Sequence, residues 1–298
     1  MRRAFASTVL EVGQVDSSLV VLVGDISHGI LKPFAEAFPS RYYNIGICEP
    51  TMVNMASGIS KVGLNPVVHT IAPFLIERSF EQLKLDFEYE NQSVNLVSVG
   101  SGFDYSQLGC THHCYDDIAL LRQLPSSSIF VPGTPEEFSR LFHNNYAAAG
   151  IKYYRLSEQR NSSSFEVLGG THRVAMGVDV TLVALGTRLQ AAIDATNFLK
   201  NDIGCDLFYV NKVKPLDVEA IRVSVAQTRR LVVVEEHSVV GGLGDACLQG
   251  LAGLPFSYRS LGVRDFVHQY GSHDELCAVA GVATADIINA VRAAAVSD

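Results

Sequence analysis

The sequence predicts an α/β protein made of two doubly wound sheets in tandem. Two observations carry this. Short runs rich in Val or Ile, apolar on both faces, alternate with helix-length stretches from one end of the chain to the other, as in βα units whose parallel strands are covered on both sides. One polar segment, 158–172, breaks the alternation with Asn161-Ser162-Ser163-Ser164 and Gly169-Gly170, and reads as a linker. The 298 residues are enough for two cores, so the chain is divided into domains 1–160 and 173–298, with 161–172 between them.

In the first half, strands are expected at 19–24, 66–69, 94–99, 128–131 and 152–156, where apolar residues leave little polar face. Helices are expected at 49–61, 74–90 and 135–148. Pro135 suits a first helical turn, where its missing N–H is not needed, and Thr134 before it offers a capping oxygen. In the second half, strands are expected at 180–185, 206–210 and 230–235. Helices are expected near 188–200, 216–227 and 285–294, the last behind a Thr284 cap.

Hydrophobic residues make up 48% of the chain and charged residues 18%, a balance that suits buried α/β layers and excludes a disordered chain. A net charge of −8 leaves no basic face for a phosphate backbone, which excludes nucleic acid as a partner. No apolar run is read as approaching the roughly 20 residues of a membrane span, and Met1-Arg2-Arg3 opens a mixed segment rather than a signal-peptide core. The expectation is a cytoplasmic protein, away from membranes, with six free thiols.

The stretch richest in chemistry is Arg41-Tyr42-Tyr43-Asn44-Ile45-Gly46-Ile47-Cys48-Glu49, which runs from a short strand into a helix. Three more clusters accompany it: Gly24-Asp25-Ile26-Ser27, Thr111-His112-His113 followed by Asp117-Ile118-Ala119, and Glu235-Glu236-His237-Ser238-Val239-Val240-Gly241-Gly242-Leu243-Gly244. In this order they resemble the transketolase family. Its pyrimidine-binding domains carry GD-[LI]-S, R-x-x-N-x-G-I-x-E and T-H-[QH], and its C-terminal domains carry E-E-H-x-x-x-G-G-L-G. The resemblance spans nearly the whole chain and implies a thiamine-diphosphate-binding-type pyrimidine domain followed by a transketolase C-terminal-type domain. It also implies thiamine diphosphate with Mg2+, and transfer of a two-carbon ketol unit from a ketose to an aldehyde or ketone acceptor.

Under that resemblance Glu49 is the activating acid. A carboxyl at the far nitrogen of the cofactor's aminopyrimidine favours the imino tautomer, whose nitrogen takes the thiazolium proton; burial helps by disfavouring a charged carboxylate. Read alone, Glu49 is a solvated acid at a helix N-terminus. Phe74 stands where the family sets an aromatic on the pyrimidine ring, or else packs in the core. Ile47 and Arg78 join the cofactor-binding set with Asp25, which otherwise caps a turn. His112 and His113 are assigned to the substrate, His112 also to proton transfer, a task suited to imidazole. A zinc site from Cys110, His112, His113 and Cys114 competes, weakened by ligand adjacency and the lack of a second pair.

The departures are informative too. The family's G-D-G followed by an asparagine, which holds magnesium and diphosphate, has no match here. The resemblance therefore implies a separate N-terminal, diphosphate-binding subunit and a heterotetramer with two copies of each chain. Leu108 stands where sugar-phosphate transketolases place a hydroxyl-reading aspartate, and Glu158 where they place a phosphate-gripping arginine. Such a carboxylate repels phosphate, which points to an unphosphorylated or nucleotide-linked sugar unless Arg155 or Arg160 substitutes. The rival readings are a 2-oxo acid dehydrogenase β subunit, a non-catalytic scaffold, and a dinucleotide site at Gly241–Gly244, whose spacing fits the fingerprint poorly.

Overall fold

The computed structural model describes residues 1–165 and 170–296. The chain runs α1 (Arg2–Val15), β1 (Leu19–Val23), α2 (His28–Ala37), β2 (Tyr42–Asn44), α3 (Glu49–Lys61), β3 (Asn65–Ile71), α4 (Ala72–Ile76), α5 (Phe80–Gln82), β4 (Val94–Val99), α6 (Asp117–Arg122), β5 (Ser128–Phe130), α7 (Pro135–Asn145) and β6 (Ile151–Arg155). It continues through β7 (Thr171–Ala175), β8 (Val180–Leu185), α8 (Leu189–Leu199), β9 (Cys205–Val210), β10 (Lys212–Lys214), α9 (Glu219–Thr228), β11 (Arg230–Ser238), α10 (Leu243–Gly250), β12 (Ser257–Val263), α11 (His273–Val279) and α12 (Thr284–Ala295).

One sheet has the order β10-β5-β6-β4-β3-β1-β2, the other β12-β11-β8-β9-β7. Both are parallel except where the edge strands β10 and β7 run against β5 and β9. The central strands are largely apolar because each serves two cores, and their buried polar side chains are bonded inside, Asn95 to Asn65, Ser98 to Tyr153 and Thr181 to Ser224. Along β1, Val20 and Leu22 enter a core shared with α3 and α4, while Leu19, Val21 and Val23 enter one formed with α1, α2 and α7. Along β8, Val183 and Leu185 face the first of these cores, and Leu182 and Ala184 face a third that includes residues of α8, α11 and α12. The core under α3 thus continues from one sheet to the other.

Four expectations need correction. The helix expected over 74–90 is broken after Ile76 and resumes as α5 and a π-helical turn, Leu83–Tyr89. The buried Ser79 hydroxyl donates to the Phe74 carbonyl (3.3 Å) at the break, local competition with the helix ladder of the kind serine offers. The supposed linker is anchored where it is described: buried Asn161 donates its backbone N–H to Gly133 and its side-chain amide to Gly186. Thr171 and His172 already belong to β7, and 166–169 lie outside the described residues. Thr284 is not a cap; it is the first residue of α12, and Asp286 takes the Ala283 N–H (3.0 Å).

The fourth correction concerns hydropathy. His273–Ala295, at a mean hydropathy of 1.5, is long and apolar enough to cross a membrane. Here it forms two helices, α11 and α12, parted at 280–283. Leu276, Cys277, Ile287, Val291 and Ala294 are buried in the second sheet's outer core. Ser272 and Glu275 start α11 with a capping box.

Candidate active site

The strands of the first sheet other than β10 are parallel, so the loops after β1, β2, β3, β4 and β6 open on one side. The strand order reverses between β1 and β3, and the crevice at such a point is where open α/β sheets bind ligands. Asp25 follows β1, Glu49 follows β2, Phe74 to Arg78 follow β3, and His112 lies in the long connection after β4.

Glu49 opens α3 with Pro50 behind it and is only 1% exposed. Its Oε2 is met by the Arg78 guanidinium at 2.7 Å, a positive partner for a buried acid. Its Oε1 has no partner among the described residues. Arg78 lies over the Phe74 ring, 4.1 Å from the centroid, and the His112 ring meets Phe74 edge-on at 5.2 Å. Glu49, Arg78, Phe74 and His112 therefore form a continuous chain of contacts, and the break after α4 is what leaves Arg78 free to fold back over Phe74. Ile47, 75% exposed, sits in the turn just before Glu49.

Asn44, to which the motif alone gave no role, ties two of these loops together. Its Oδ1 accepts the N–H groups of Asp25 (3.1 Å) and Gly46 (3.0 Å), and its amide donates to Asp25 Oδ1 (3.2 Å). Asp25 has a left-handed backbone, φ 53°, and its carboxylate also lies 3.0 Å from His28 Nε2. Arg41, the first residue of the motif, caps the end of α1 through the Gly13 and Asp16 carbonyls. Arg2 was likewise missed. Helix α1 brings its guanidinium to Ser27 (3.2 Å) and to within 3.9 Å of Glu158, at the ends of β1 and β6. Glu77 is a third omission: its carboxylate accepts the Cys114 thiol (3.5 Å), and burial, opposed by that bond, pushes it up to about 7.

Two expected substrate groups point elsewhere. Arg155 is buried, its Nε on Asp117 (2.7 Å) and its Nη2 on the Cys114 and Glu236 carbonyls. It is an interior counter-ion, because the Asp117 carboxylate beside it has no water to solvate it. The Arg155 charge, against the effect of burial, pulls Asp117 below the ordinary carboxylate value. His113 is turned inward, edge-on to Phe103 at 5.2 Å, and burial lowers its pKa. His112 is the half-exposed member of the pair, with Nδ1 at 2.9 Å from Thr111 Oγ1. Cys114 is buried and Cys110 exposed, so the four candidate zinc ligands do not converge. Leu108 stands 51% exposed near the tip of this loop. Arg160 is exposed beside a cavity of about 390 Å³ that Arg188 also lines.

The glycine turn after β11 closes on itself. Glu235 accepts the N–H groups of Leu243 (2.7 Å) and Gly244 (2.9 Å) at the start of α10, and a Cβ at Gly242 would come 2.1 Å from Glu235 Oε2. The chain's own carboxylate thus fills the anion position that a dinucleotide would need.

Comparison with known proteins completes the picture. Residues 1–162 match the transketolase pyrimidine-binding domain, and 169–287 match the transketolase C-terminal domain. The chain belongs to the transketolase family. It is 31% identical to an apulose-4-phosphate transketolase subunit of Phocaeicola vulgatus over 94% of this chain and 93% of that one. To the 6-deoxy-6-sulfo-D-fructose transketolase subunit SqwH of Clostridium sp. it is 29% identical, over 98% and 93%. A solved structure described as a split gene transketolase, inactive beta4 tetramer, superposes with a TM-score of 0.88 at 30% identity, covering 99% of this chain and 97% of the other.

The site suits this family's cofactor at the end where the sequence motif lies. A buried carboxylate with one open oxygen, an aromatic ring and an exposed aliphatic residue are what a flat, hydrogen-bonding pyrimidine needs. Among the described residues, the one group of His, Cys and acidic side chains at metal spacing lies elsewhere, at Glu236, His273 and Cys277.

Proposed function

We propose that this chain is the cofactor-activating subunit of a split, thiamine diphosphate-dependent transketolase that moves a two-carbon ketol unit from a ketose to an aldehyde or ketone acceptor. The observation that carries it is Glu49, buried at the reversal of the sheet with Oε2 on Arg78 and Oε1 open. When bound, thiamine diphosphate supplies the carbon nucleophile for the ketose carbonyl.

This chain's residues prepare and surround it. Glu49 Oε1 would hold the pyrimidine by a hydrogen bond, Phe74 would offer it a ring surface, and Ile47 would keep water from it. Asp25, fixed by Asn44, would join them in holding the cofactor. His112 Nε2, without a partner among the described residues, binds substrate hydroxyls and exchanges protons with them.

Diphosphate and Mg2+ are assigned to an N-terminal partner subunit, in a heterotetramer with two copies of each chain. A separate partner is supported by the relatives, two of which are named as transketolase subunits and one, a solved structure, as a split gene transketolase that is inactive as a beta4 tetramer. They are named for two different sugars, so the donor is set by residues that vary at this distance. Leu108 is exposed, Glu158 is engaged with Arg2, and Arg155 is withdrawn. An unphosphorylated or nucleotide-linked ketose fits that end better than an ordinary pentose phosphate.

The test is calorimetric titration of thiamine diphosphate and Mg2+ into the isolated chain and into the chain mixed with its copurifying partner, followed by a donor screen. Binding should need the partner; micromolar binding to the isolated chain would overturn the shared site. Oxidation of a 2-oxo acid by the pair would favour the dehydrogenase reading.

A further inference from the structure

The loop that carries His112 is held from the second sheet. Residues 100–116 join β4 to α6 without a helix or strand of their own, an unusually long connection of the kind that needs anchoring. Its two feet bind each other: Gly102 N–H donates to the Cys114 carbonyl (2.7 Å), and Cys114 N–H to the Gly102 carbonyl (3.0 Å). Both feet are then gripped by the end of β11. Glu236 Oε1 accepts the Phe103 N–H (2.8 Å), and Ser238 N–H donates to the Tyr115 carbonyl (2.7 Å). A Cβ on Gly102 would lie 2.1 Å from Glu236 Oε1, and the backbone there has φ +55°. Only glycine lets the carboxylate come so close to this conformation.

Glu236 is itself immobilised. Arg188 Nε, just before α8, lies 3.2 Å from Oε2, and His273 Nε2, the first residue of α11, lies 3.1 Å from both oxygens. With Cys277, Glu236 and His273 have the spacing of a metal site. The Arg188 guanidinium excludes that reading, since it also donates to Cys277 Sγ (3.3 Å) and already fills the cation's place. A buried cluster of this kind adds little stability over apolar packing of the same volume; what it secures is one geometry. Two elements of the second sheet's layer therefore fix a single carboxylate, and that carboxylate fixes one foot of the histidine loop.

We infer that Glu236, held by Arg188 and His273, is a positioning residue for His112, so that the C-terminal half of the chain sets the substrate end of a site whose cofactor end it does not touch among the described residues. This rests on the substrate-facing role of His112 proposed above.

The test is a double-mutant cycle in the reconstituted two-subunit enzyme, using Glu236→Gln, His112→Ala and the double variant, with the donor found by the screen. Glu236→Gln keeps an acceptor for the Phe103 N–H but loses both ion pairs. It should lower kcat/KM for the donor by about 100-fold, the usual effect of misplacing a reacting group by about 1 Å, while affinity for thiamine diphosphate stays unchanged. Combined with His112→Ala it should add less than about 2-fold, the limit for residues acting through one another. Glu236→Asp should restore part of the loss. If Glu236→Gln does not fold, Arg188→Lys carries the same comparison, because it keeps the charge but loses the two-point grip.

Full activity of Glu236→Gln beside an impaired His112→Ala, additive losses, or a parallel loss of cofactor affinity would overturn the inference alone. Full activity of His112→Ala would overturn the role given to His112, and the inference with it.

Discussion

Glu49 has one oxygen on Arg78 and the other open, and everything proposed for the site depends on that second oxygen. Glu49→Gln in the reconstituted enzyme should lower kcat by at least about 100-fold, within the range that positioned acid–base groups contribute, with an unchanged circular dichroism spectrum. An unimpaired variant would make the chain a scaffold. Asn44 acts differently, because it holds Asp25 and the Glu49 turn without facing either reaction partner. It is exposed, so water can replace its bonds. Asn44→Ala should therefore cost under about 1 kcal/mol in stability but about 10-fold in kcat/KM through lost orientation. Paired denaturation and kinetic measurements separate the two effects.

Elements place these residues, and their ends are set by few atoms. Helix α7 starts where Thr134 Oγ1 accepts the Glu137 N–H (3.2 Å), as the sequence led one to expect, and it carries Phe138 and Phe142 into the core against α1. Thr134 is buried, so no water replaces a lost cap. Thr134→Ala should cost about 1–2 kcal/mol and Thr134→Ser almost nothing, read from urea midpoints; equal costs would show that packing of the methyl group, not the cap, matters. The break after α4 is the opposite case, an interruption that favours the site. It takes Arg78 off the regular helix ladder, its N–H reaching the Pro73 carbonyl five residues back (3.1 Å), and irregular turns of this type recur where side chains must be aimed.

Over the whole molecule, buried titratable groups pull stability in opposite directions with pH. His69, on β3, has Nδ1 donating to the Val97 carbonyl (2.8 Å) and Nε2 at 2.8 Å from Ser27 Oγ, and burial lowers it from 6.5 to about 4. Burial likewise lowers His237 to about 4. Between those values the unfolded chain binds protons that the folded chain refuses, so this contribution is complete above pH 6.5 and is lost as pH falls through about 4. Each histidine accounts for up to about 3 kcal/mol. Asp104 and Glu235, both pushed up to about 7 by burial, act in the reverse sense. Their protons are held only when folded, so stability falls as pH rises from about 4 to 7. A single variant isolates one component: the stability deficit of His69→Gln relative to the parent should shrink between pH 7.5 and 4.5. Urea titrations at the two pH values check this, and a constant deficit would contradict it.

The central strands are written in the sequence, since a strand buried on both faces must be mostly apolar: β1 is so at every position, and β4 and β8 depart from it only at Asn95, Ser98 and Thr181. So is the Thr134 cap, which is a local signal. The grouping of Asp25, Glu49, Phe74, Arg78 and His112 was legible only through the family motifs, and the parallel order of the sheet puts the loops that carry them at one end. Helix α1 was legible and overlooked, for Phe5, Val9 and Val12 recur at helical spacing. The edge strands β7, β10 and β12 were not legible, because partly exposed strands have no uniform apolar run. Closure of the fold alone turned Arg155 and His113 inward, brought Arg2 to the end of β1, and set Glu236 on a loop 133 residues away. A charge finds its counter-ion only after the chain has closed over both, and nothing in the residues next to Arg155 or Glu236 records where the partner will be.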